Sequence, residues 1–99
     1  MGAEVVFTFV ADEDQQEAYD WYEKRQPMLG ERFLLAVDDC LRQIAERPEL
    51  YAKVRGRYRR ALVSMFPYAV YYHVEPNRVI VHAIVHTSRH PRQWQRRLP

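Results

Sequence analysis

Cysteine is almost absent from this chain, because Cys40 is the only one in 99 residues. A single cysteine cannot close an internal disulfide, which excludes a disulfide-stapled secreted scaffold and favours the cytoplasm. Long apolar runs are also missing, since no stretch reaches the roughly 18–20 apolar residues that a membrane-spanning helix needs. The N-terminal segment MGAEVVFTFVADED lacks both a basic start and a long apolar run, so it does not read as a signal peptide.

The overall composition is that of an ordinary globular protein, with 47% hydrophobic and 28% charged residues. A chain of this length can bury only a modest core. We therefore predict one domain over residues 1–99, without internal repeats or low-complexity segments.

Acidic residues are scarce in the second half of the chain. Residues 1–50 hold twelve acids and five bases, a net charge of −7, whereas residues 51–99 hold one acid and ten bases, a net charge of +9. Nine of those ten bases are arginine, which pairs bidentately with phosphate and carboxylate. This half indicates a nucleic acid or an acidic protein as partner, and the alternative is a basic face that only keeps the protein soluble.

The first half reads as a strand followed by two helices. EVVFTFV (4–10) is β-branched and aromatic, which predicts a strand. Asp12 with Gln15 resembles a capping box, which predicts a first helix from Glu13 to Arg25. QPMLG (26–30) contains Pro and Gly and predicts the turn of an antiparallel helical hairpin.

The second helix is indicated by an apolar stripe at the helical period, which consists of Phe33, Ala36, Val37, Cys40, Leu41 and Ile44. Because Cys40 lies inside this stripe, we predict a buried structural thiol. Pro48 is predicted to stop the helix.

The second half reads as a basic loop (49–57) and three strands, at about 58–65, 68–74 and 79–86. Residues 75–78 (EPNR) are predicted to form the turn between the last two strands. The element order is then β-α-α-β-β-β. This order predicts an α+β fold, with a helical hairpin packed on one face of a small, mostly antiparallel sheet.

Period two sorts the strand residues between the two faces of the sheet. The uniformly apolar face is predicted to meet the helices and takes Tyr68, Val70, Tyr72, Val74, Val79, Val81, Ala83 and Val85. The other face mixes apolar and polar groups, as a surface that awaits a partner does, and shows Tyr71, His73, His82 and His86, with Arg60 on the neighbouring strand.

The segment HTSRHPRQW (86–94) ends this pattern with two histidines, two arginines and a tryptophan. We predict no metal site, since His82, His86 and His90 would be spaced by about 13 Å along an extended chain, and there is no CxxC motif. Acid–base work is one interpretation: His86 or His90 would move a proton while Arg60 and Arg89 hold phosphate. The alternative, favoured by spacing alone, is a set of half-buried sheet histidines. Trp94 is interpreted as an anchor that packs the tail onto the sheet.

Three motifs are similar to those of a known family: WYE with PxLGxRF, the FPYxVYY strand, and VHTSRxPxxW. With them the chain resembles, from about residue 5 to residue 97, the RelE/ParE toxins of type II toxin–antitoxin (plasmid stabilisation) systems. The resemblance implies the same fold and an acidic or amphipathic antitoxin that wraps the toxin, with a toxin–antitoxin heterotetramer as one assembly. It implies no cofactor. RelE-like members cleave mRNA in the ribosomal A site without a metal, and ParE-like members block DNA gyrase.

The resemblance also assigns candidate residues. RelE-like ribonucleases have basic residues where this chain has Arg60 and Arg89, but Leu62, Ala69 and Trp94 stand where further family residues are basic or tyrosine. The candidate catalytic residues are Arg60, His86, Arg89 and His90. The candidate partner-binding residues are Arg57, Arg59, Tyr71, His73, His82, Arg92 and Trp94. The missing groups favour ParE-like gyrase inhibition over RelE-like cleavage, and a third alternative is an inactive relative that keeps only antitoxin binding.

Overall fold

The computed structural model describes residues 2–88 and 92–99. Its elements are β1 (Glu4–Phe7), α1 (Phe9–Arg25), α2 (Leu29–Glu46), β2 (Lys53–Arg55), β3 (Tyr58–Leu62), β4 (Tyr68–Glu75), β5 (Arg78–His86) and α3 (Arg92–Arg97). None of the helices in this part of the chain combines the length and the apolar character that a bilayer span requires.

The strands form a five-stranded sheet in the order β1-β5-β4-β3-β2. β1 runs parallel to β5, and all other neighbours are antiparallel. The helical hairpin packs on one face, which we call the helix face, and this confirms the predicted α+β fold. β2 was missed inside the predicted loop 49–57 because its apolar side chain, Val54, stands between two charged ones and gives a strand signal too short to recognise.

Helix α1 begins four residues earlier than the sequence predicted. Thr8 is the N-cap, and its hydroxyl accepts from the backbone N–H of Ala11 at 3.1 Å. Asp12 was therefore wrong as the cap; it lies in the first turn, where a carboxylate is still favoured near the positive end of the helix dipole. β1 correspondingly ends at Phe7 rather than at Val10.

The turn of the helical hairpin explains part of the WYE–PxLG motif. The N-cap of α2, Met28, has φ 75° and makes no side-chain cap bond. Glu23 of α1 replaces that cap, since its carboxylate accepts from the backbone N–H of Met28 and of Gly30, both at 2.9 Å. A Cβ on Gly30 would lie 2.8 Å from the carbonyl oxygen of Tyr19, so only glycine fits this close approach of the two helices.

Gly30→Ala is expected to lower the free energy of unfolding by about 1–2 kcal/mol, because overpacking costs about 1–3 kcal/mol and the better helix propensity of alanine offsets part of it. Urea unfolding followed by circular dichroism measures the change. Gly2→Ala is the control at a second glycine, where the Cβ would meet no atom closer than 3.2 Å. An unchanged unfolding midpoint for Gly30→Ala would contradict the close approach described above.

A bulge in β5 reverses the predicted faces of that strand. Tyr72 pairs with Val81 and Tyr71 pairs with Ala83, so His82 is an extra residue without a partner on β4. Val79 and Val81 lie on the helix face as predicted, but beyond the bulge Ile84 takes that side. Ala83 and Val85 lie on the opposite face, which we call the far face, so their predicted contact with the helices was wrong.

Two further details fix the framework around the sheet. β3 ends at Leu62 rather than at Met65, which adopts φ 70° and turns the chain toward β4. The predicted turn between β4 and β5 is confirmed, with Asn77 at φ 62°. Cys40 is buried on the helix face, which confirms its predicted burial, and this burial raises the pKa of its thiol to about 11.

Candidate functional site

The C-terminal segment covers the part of the far face around Tyr71, so that part is not open. Trp94 stacks on Tyr71, with ring centroids 5.0 Å apart and planes at 10°. Leu98 is buried in the same cluster, together with Tyr58 of β3. Trp94 is therefore a packing anchor, as the sequence suggested, and Tyr71 is buried beneath it. The helix α3 was not predicted, because RQWQRR carries no apolar period.

A histidine pair lies buried on the far face. Nδ1 of His73 and Nε2 of His82 are 2.7 Å apart, and Nε2 of His73 lies 3.0 Å from a carboxylate oxygen of Glu75. Because a carboxylate only accepts, His73 donates from Nε2, and in the neutral pair His82 donates from Nε2 to Nδ1 of His73. The second Glu75 oxygen accepts from Arg78 at 2.8 Å. The result is a continuous hydrogen-bonded row that runs from His82 to the surface.

This row favours a neutral His82. The pKa of His82 is lowered to about 4, first by burial and then by the electrostatic effects of His73 and Arg57. The hydrogen bond from His73, with that from Arg78, lowers the pKa of Glu75. The ring of Tyr58 stands edge-on to both histidines, at centroid distances of 5.8 and 5.3 Å. His73 and His82 are 3% and 6% exposed, so the expectation that they face a partner on an open surface was wrong.

His86 lies on the opposite side of the sheet from this pair. Its ring packs 5.2 Å from that of Tyr68, whose ring in turn lies 5.0 Å from that of Phe33 on α2. The β5 bulge is the cause, because it moves every side chain beyond His82 to the other face. Nδ1 of His86 accepts from the backbone N–H of Ser88 at 3.1 Å, which places the ring proton on Nε2.

His86 stands at the edge of a cleft between α1, the end of β5 and α3. The cleft has a volume of about 580 Å³ and is lined by Asp14, Glu17, Ala18, Trp21, Tyr22, Pro67, Tyr68, Ile84, Val85, His86, Ser88 and Arg97. Asp14 is buried in its wall and accepts from Nη2 of Arg97 at 2.8 Å and from the backbone N–H of Ile84 at 3.1 Å. This carboxylate therefore joins α1, β5 and α3 at one point.

Arg60 is exposed on the far face. It pairs in register with Tyr71, so the two side chains share that face. Leu62 and Ala69 are also register partners. They occupy the positions at which the RelE-like resemblance implies further cations. The guanidinium of Arg60 thus stands beside an apolar pair, without a second charge from those two positions.

Of the remaining basic candidates, Arg59 is held by hydrogen bonds, whereas Arg57 and Arg92 are exposed. Nη1 of Arg59 donates to the carbonyl oxygens of Glu49 and Tyr51, at 3.2 and 2.7 Å, so its charge holds the chain that follows α2. Arg57 is exposed, with its guanidinium carbon 5.5 Å from the ring centroid of Tyr58. Arg92 is exposed in α3.

The structure does not bring the candidate catalytic residues together. Arg60 lies on the far face and His86 lies on the helix face, with the sheet between them. Arg89 and His90 lie outside the described residues. A single site that combines the guanidinium of Arg60 with the imidazole of His86 is therefore excluded, and that part of the sequence-based hypothesis was wrong.

Three side chains of the histidine row and the cleft were not predicted from the sequence: Asp14, Tyr58 and Glu75. Glu75 could have been found, because it is the one acid of the basic half and lies two residues from His73, on the same face of a strand. Asp14 carried no usable signal, since its partner Arg97 is 83 positions away.

No three His, Cys, Asp or Glu side chains within residues 2–88 and 92–99 are grouped in a way that could hold a metal ion. The facing nitrogens of His73 and His82 hydrogen-bond each other.

Comparisons with known proteins agree with the fold. The sequence matches, over residues 5–91, the profile of a family described as the ParE toxin of the type II toxin–antitoxin system parDE. A solved structure described as the chromosomal ParDE TA system from P. aeruginosa is similar, with a TM-score of 0.76 and 13% identity over 87% of this chain and 97% of that chain. At this identity the likeness shows a shared fold. No curated protein matches the sequence. Because the family profile matches most of the chain, residues 5–91, the chain belongs to the ParE toxin family of type II toxin–antitoxin systems.

Proposed function

We propose that this protein is a cytoplasmic growth inhibitor that binds DNA gyrase without hydrolytic chemistry, and that a cognate antitoxin neutralises it. The observation that carries the proposal is the separation of Arg60 and His86 by the sheet. An endoribonuclease needs a base, an acid and charge-stabilising groups around one phosphate. A binding protein needs only an intact fold and an exposed surface.

The apolar pair Leu62 and Ala69 supports the same proposal. Removing one charge-stabilising group from a transition state of this kind typically costs about a hundredfold in rate or more. Two absent cations would leave a ribonuclease slow, whereas a gyrase inhibitor loses nothing by their absence. Leu62 is 63% exposed, which suits a protein–protein contact better than a phosphate site.

An antitoxin partner is expected from the family and from the apolar surface of the hairpin. Leu35 on α2 is 69% exposed beside a groove that Phe7, Leu34 and Leu41 help to line. Exposed apolar groups around such a groove are typical of a surface that a partner covers. A heterotetramer of two toxins and two antitoxins remains one assembly to test.

Inducible expression in bacteria, with pulse labelling of DNA and protein synthesis, tests the proposed target. We expect DNA synthesis to fall first while translation continues. An immediate fall in translation would instead indicate the ribonuclease alternative. Normal growth at full expression would indicate an inactive relative that keeps only antitoxin binding.

Two variants sharpen the same experiment. His86→Ala and Arg89→Ala should each leave the growth inhibition intact, because neither side chain performs chemistry in a gyrase inhibitor. A ribonuclease that uses His86 as its base or Arg89 to hold phosphate would lose about a hundredfold or more in cleavage rate with the corresponding change. Thermal unfolding of each purified variant must show that it folds like the parent protein.

A further inference from the structure

The β2–β3 hairpin concentrates positive charge. Five of the eight residues from 53 to 60 are Lys or Arg, and none is acidic. None of the ion pairs in the described part of the chain includes Arg55, Arg57 or Arg60. Glu75, the only acid of the second half, is already occupied by His73 and Arg78. Arg57 and Arg60 therefore face solvent without an ion-pair partner in the described residues, and Arg55 reaches only backbone oxygens of Leu98 and Pro99, at 3.4 and 3.5 Å.

Two of these guanidinium groups are placed by one buried ring. The guanidinium carbons of Arg55 and Arg57 lie 5.9 and 5.5 Å from the centroid of Tyr58. Tyr58 is 8% exposed and is held in place by its edge-on contacts with His73 and His82. Arg55 also reaches the carbonyl oxygen of Leu98 at 3.4 Å. Side chains that are already oriented lose less entropy when they bind.

Arg60 extends this surface along β3. It is exposed and lies two residues from Tyr58, so it shares the far face with that ring. Arg59 does not contribute, because its guanidinium is held by the carbonyl oxygens of Glu49 and Tyr51. The binding surface thus consists of Arg55, Arg57 and Arg60.

We propose that this arginine surface binds the phosphate backbone of duplex DNA. Arginine forms bidentate hydrogen bonds with phosphate, and such contacts position a protein on DNA without reading its sequence. The proposal deepens the gyrase proposal, on which its biological setting rests, because that enzyme acts on duplex DNA. The contact itself is measurable without gyrase.

The same surface is less suited to single strands. Unpaired bases are held by stacking on exposed aromatic rings. Tyr58 and Tyr71 are buried, and Trp94 is stacked on Tyr71, so the described part of this surface offers no open aromatic platform. An acidic amphipathic peptide needs several apolar contacts, and Leu62 is the one exposed large apolar side chain on β3. Duplex phosphates therefore fit this surface best.

The test is fluorescence anisotropy of a short labelled DNA duplex with the purified protein, repeated over a series of salt concentrations. A plot of log affinity against log salt should be linear. Arg57→Ala with Arg60→Ala should reduce its slope by about 2 and weaken binding at low salt by about tenfold or more, since each phosphate contact contributes about 0.9 to the slope.

The matched control is Arg32→Ala with Arg42→Ala, which removes two exposed positive charges from α2 and should leave the slope unchanged. Circular dichroism checks that both double variants fold. Equal effects of the two double variants would overturn the proposal, as would tighter binding of single-stranded DNA. Binding of labelled polyglutamate, together with no binding of the duplex, would overturn it in favour of an acidic protein partner.

Failure of this proposal and failure of the gyrase proposal give different results. If duplex binding depends on Arg57 and Arg60 but the protein does not inhibit gyrase, the arginine surface is supported and only gyrase is refuted as the target. If the double variant still inhibits gyrase and the parent protein does not bind the duplex, DNA binding by the arginine surface is refuted and gyrase stays supported as the target.

Discussion

Asp14→Ala is expected to lower the free energy of unfolding by about 3–5 kcal/mol, the typical cost of breaking a buried ion pair by removing one partner. The Asp14 side chain is 7% exposed and that of Arg97 is 29% exposed. Truncation would leave the guanidinium without its carboxylate in the wall of the cleft. It would also leave the backbone N–H of Ile84 without its acceptor.

The contact is more than a single ion pair. Nε of Arg97 lies 3.2 and 3.1 Å from the two oxygens of Asp14, and Nη2 lies 2.8 Å from one of them. Such a bidentate contact is stronger and more directional than a surface pair. Since Asp14 is on α1 and Arg97 is on α3, its loss should also loosen the C-terminal segment from the far face.

Urea unfolding of four proteins measures this effect: the parent, Asp14→Ala, Arg97→Ala and the double variant. The double variant should be more stable than the sum of the single changes predicts, because it leaves no unpaired charge. Asp14→Asn should cost less than Asp14→Ala, since the amide oxygen can still accept from Ile84. A loss below about 1 kcal/mol for Asp14→Ala, as for an exposed pair, would contradict the assigned role.

Acidification from pH 7 to pH 5 is expected to remove about 2 kcal/mol of stability through His82 alone. The pKa of His82 is about 4 in the folded protein against 6.5 in the unfolded chain. The unfolded chain therefore takes up a proton as the pH falls below about 6.5, while the folded protein does not. The contribution of His82 to stability is complete above about pH 6.5 and is lost progressively as the pH falls toward 4.

The groups around His82 explain why its pKa is low in the folded protein. Burial is the first cause of the low pKa, and the electrostatic effects of His73 and Arg57 add to it. Glu75 acts in the opposite direction, but His73 lies between the two side chains. His82→Asn replaces the imidazole with a group that does not titrate, so we expect a flatter dependence of stability on pH.

Unfolding free energies of the parent and His82→Asn at pH 7, 6 and 5 provide the measurement. The difference between the two proteins should change by about 2 kcal/mol over this range. His86→Asn is the matched control, since it removes an imidazole from the other face of the sheet. Parallel pH curves for the parent and His82→Asn would show that His82 is not the group that titrates.

The sequence was sufficient for the features that repeat. The apolar stripe from Phe33 to Ile44 predicted α2, and alternation along residues 68–74 and 79–81 predicted the strands and their faces. The Pro76–Asn77 turn was also predicted correctly. The signals for α2 and for the strands are each carried by several residues at a fixed period, so that one exception does not hide them.

The sequence was insufficient where a single residue changed the pattern. One unpaired residue, His82, reversed the faces of the rest of β5 and moved His86 away from the predicted site. A bulge of this kind has no marker in the alternation itself. The cap by Thr8 competed with a stronger-looking capping box at Asp12, and the pairing of Asp14 with Arg97 depends on the whole fold.

The position of His86 is thus the point at which sequence and structure lead to different functional hypotheses. With His86 on the far face, the chain would carry an imidazole beside Arg60 and a plausible cleavage site. With His86 in the cleft beside α1, cleavage loses its candidate base at that position.

The most direct test of this account is a supercoiling assay with purified gyrase, relaxed plasmid DNA and the purified protein, run beside a ribosome-dependent mRNA cleavage assay. We expect supercoiling to fall as the protein concentration rises, while mRNA on the ribosome stays intact. Undiminished supercoiling together with cleaved mRNA would contradict it.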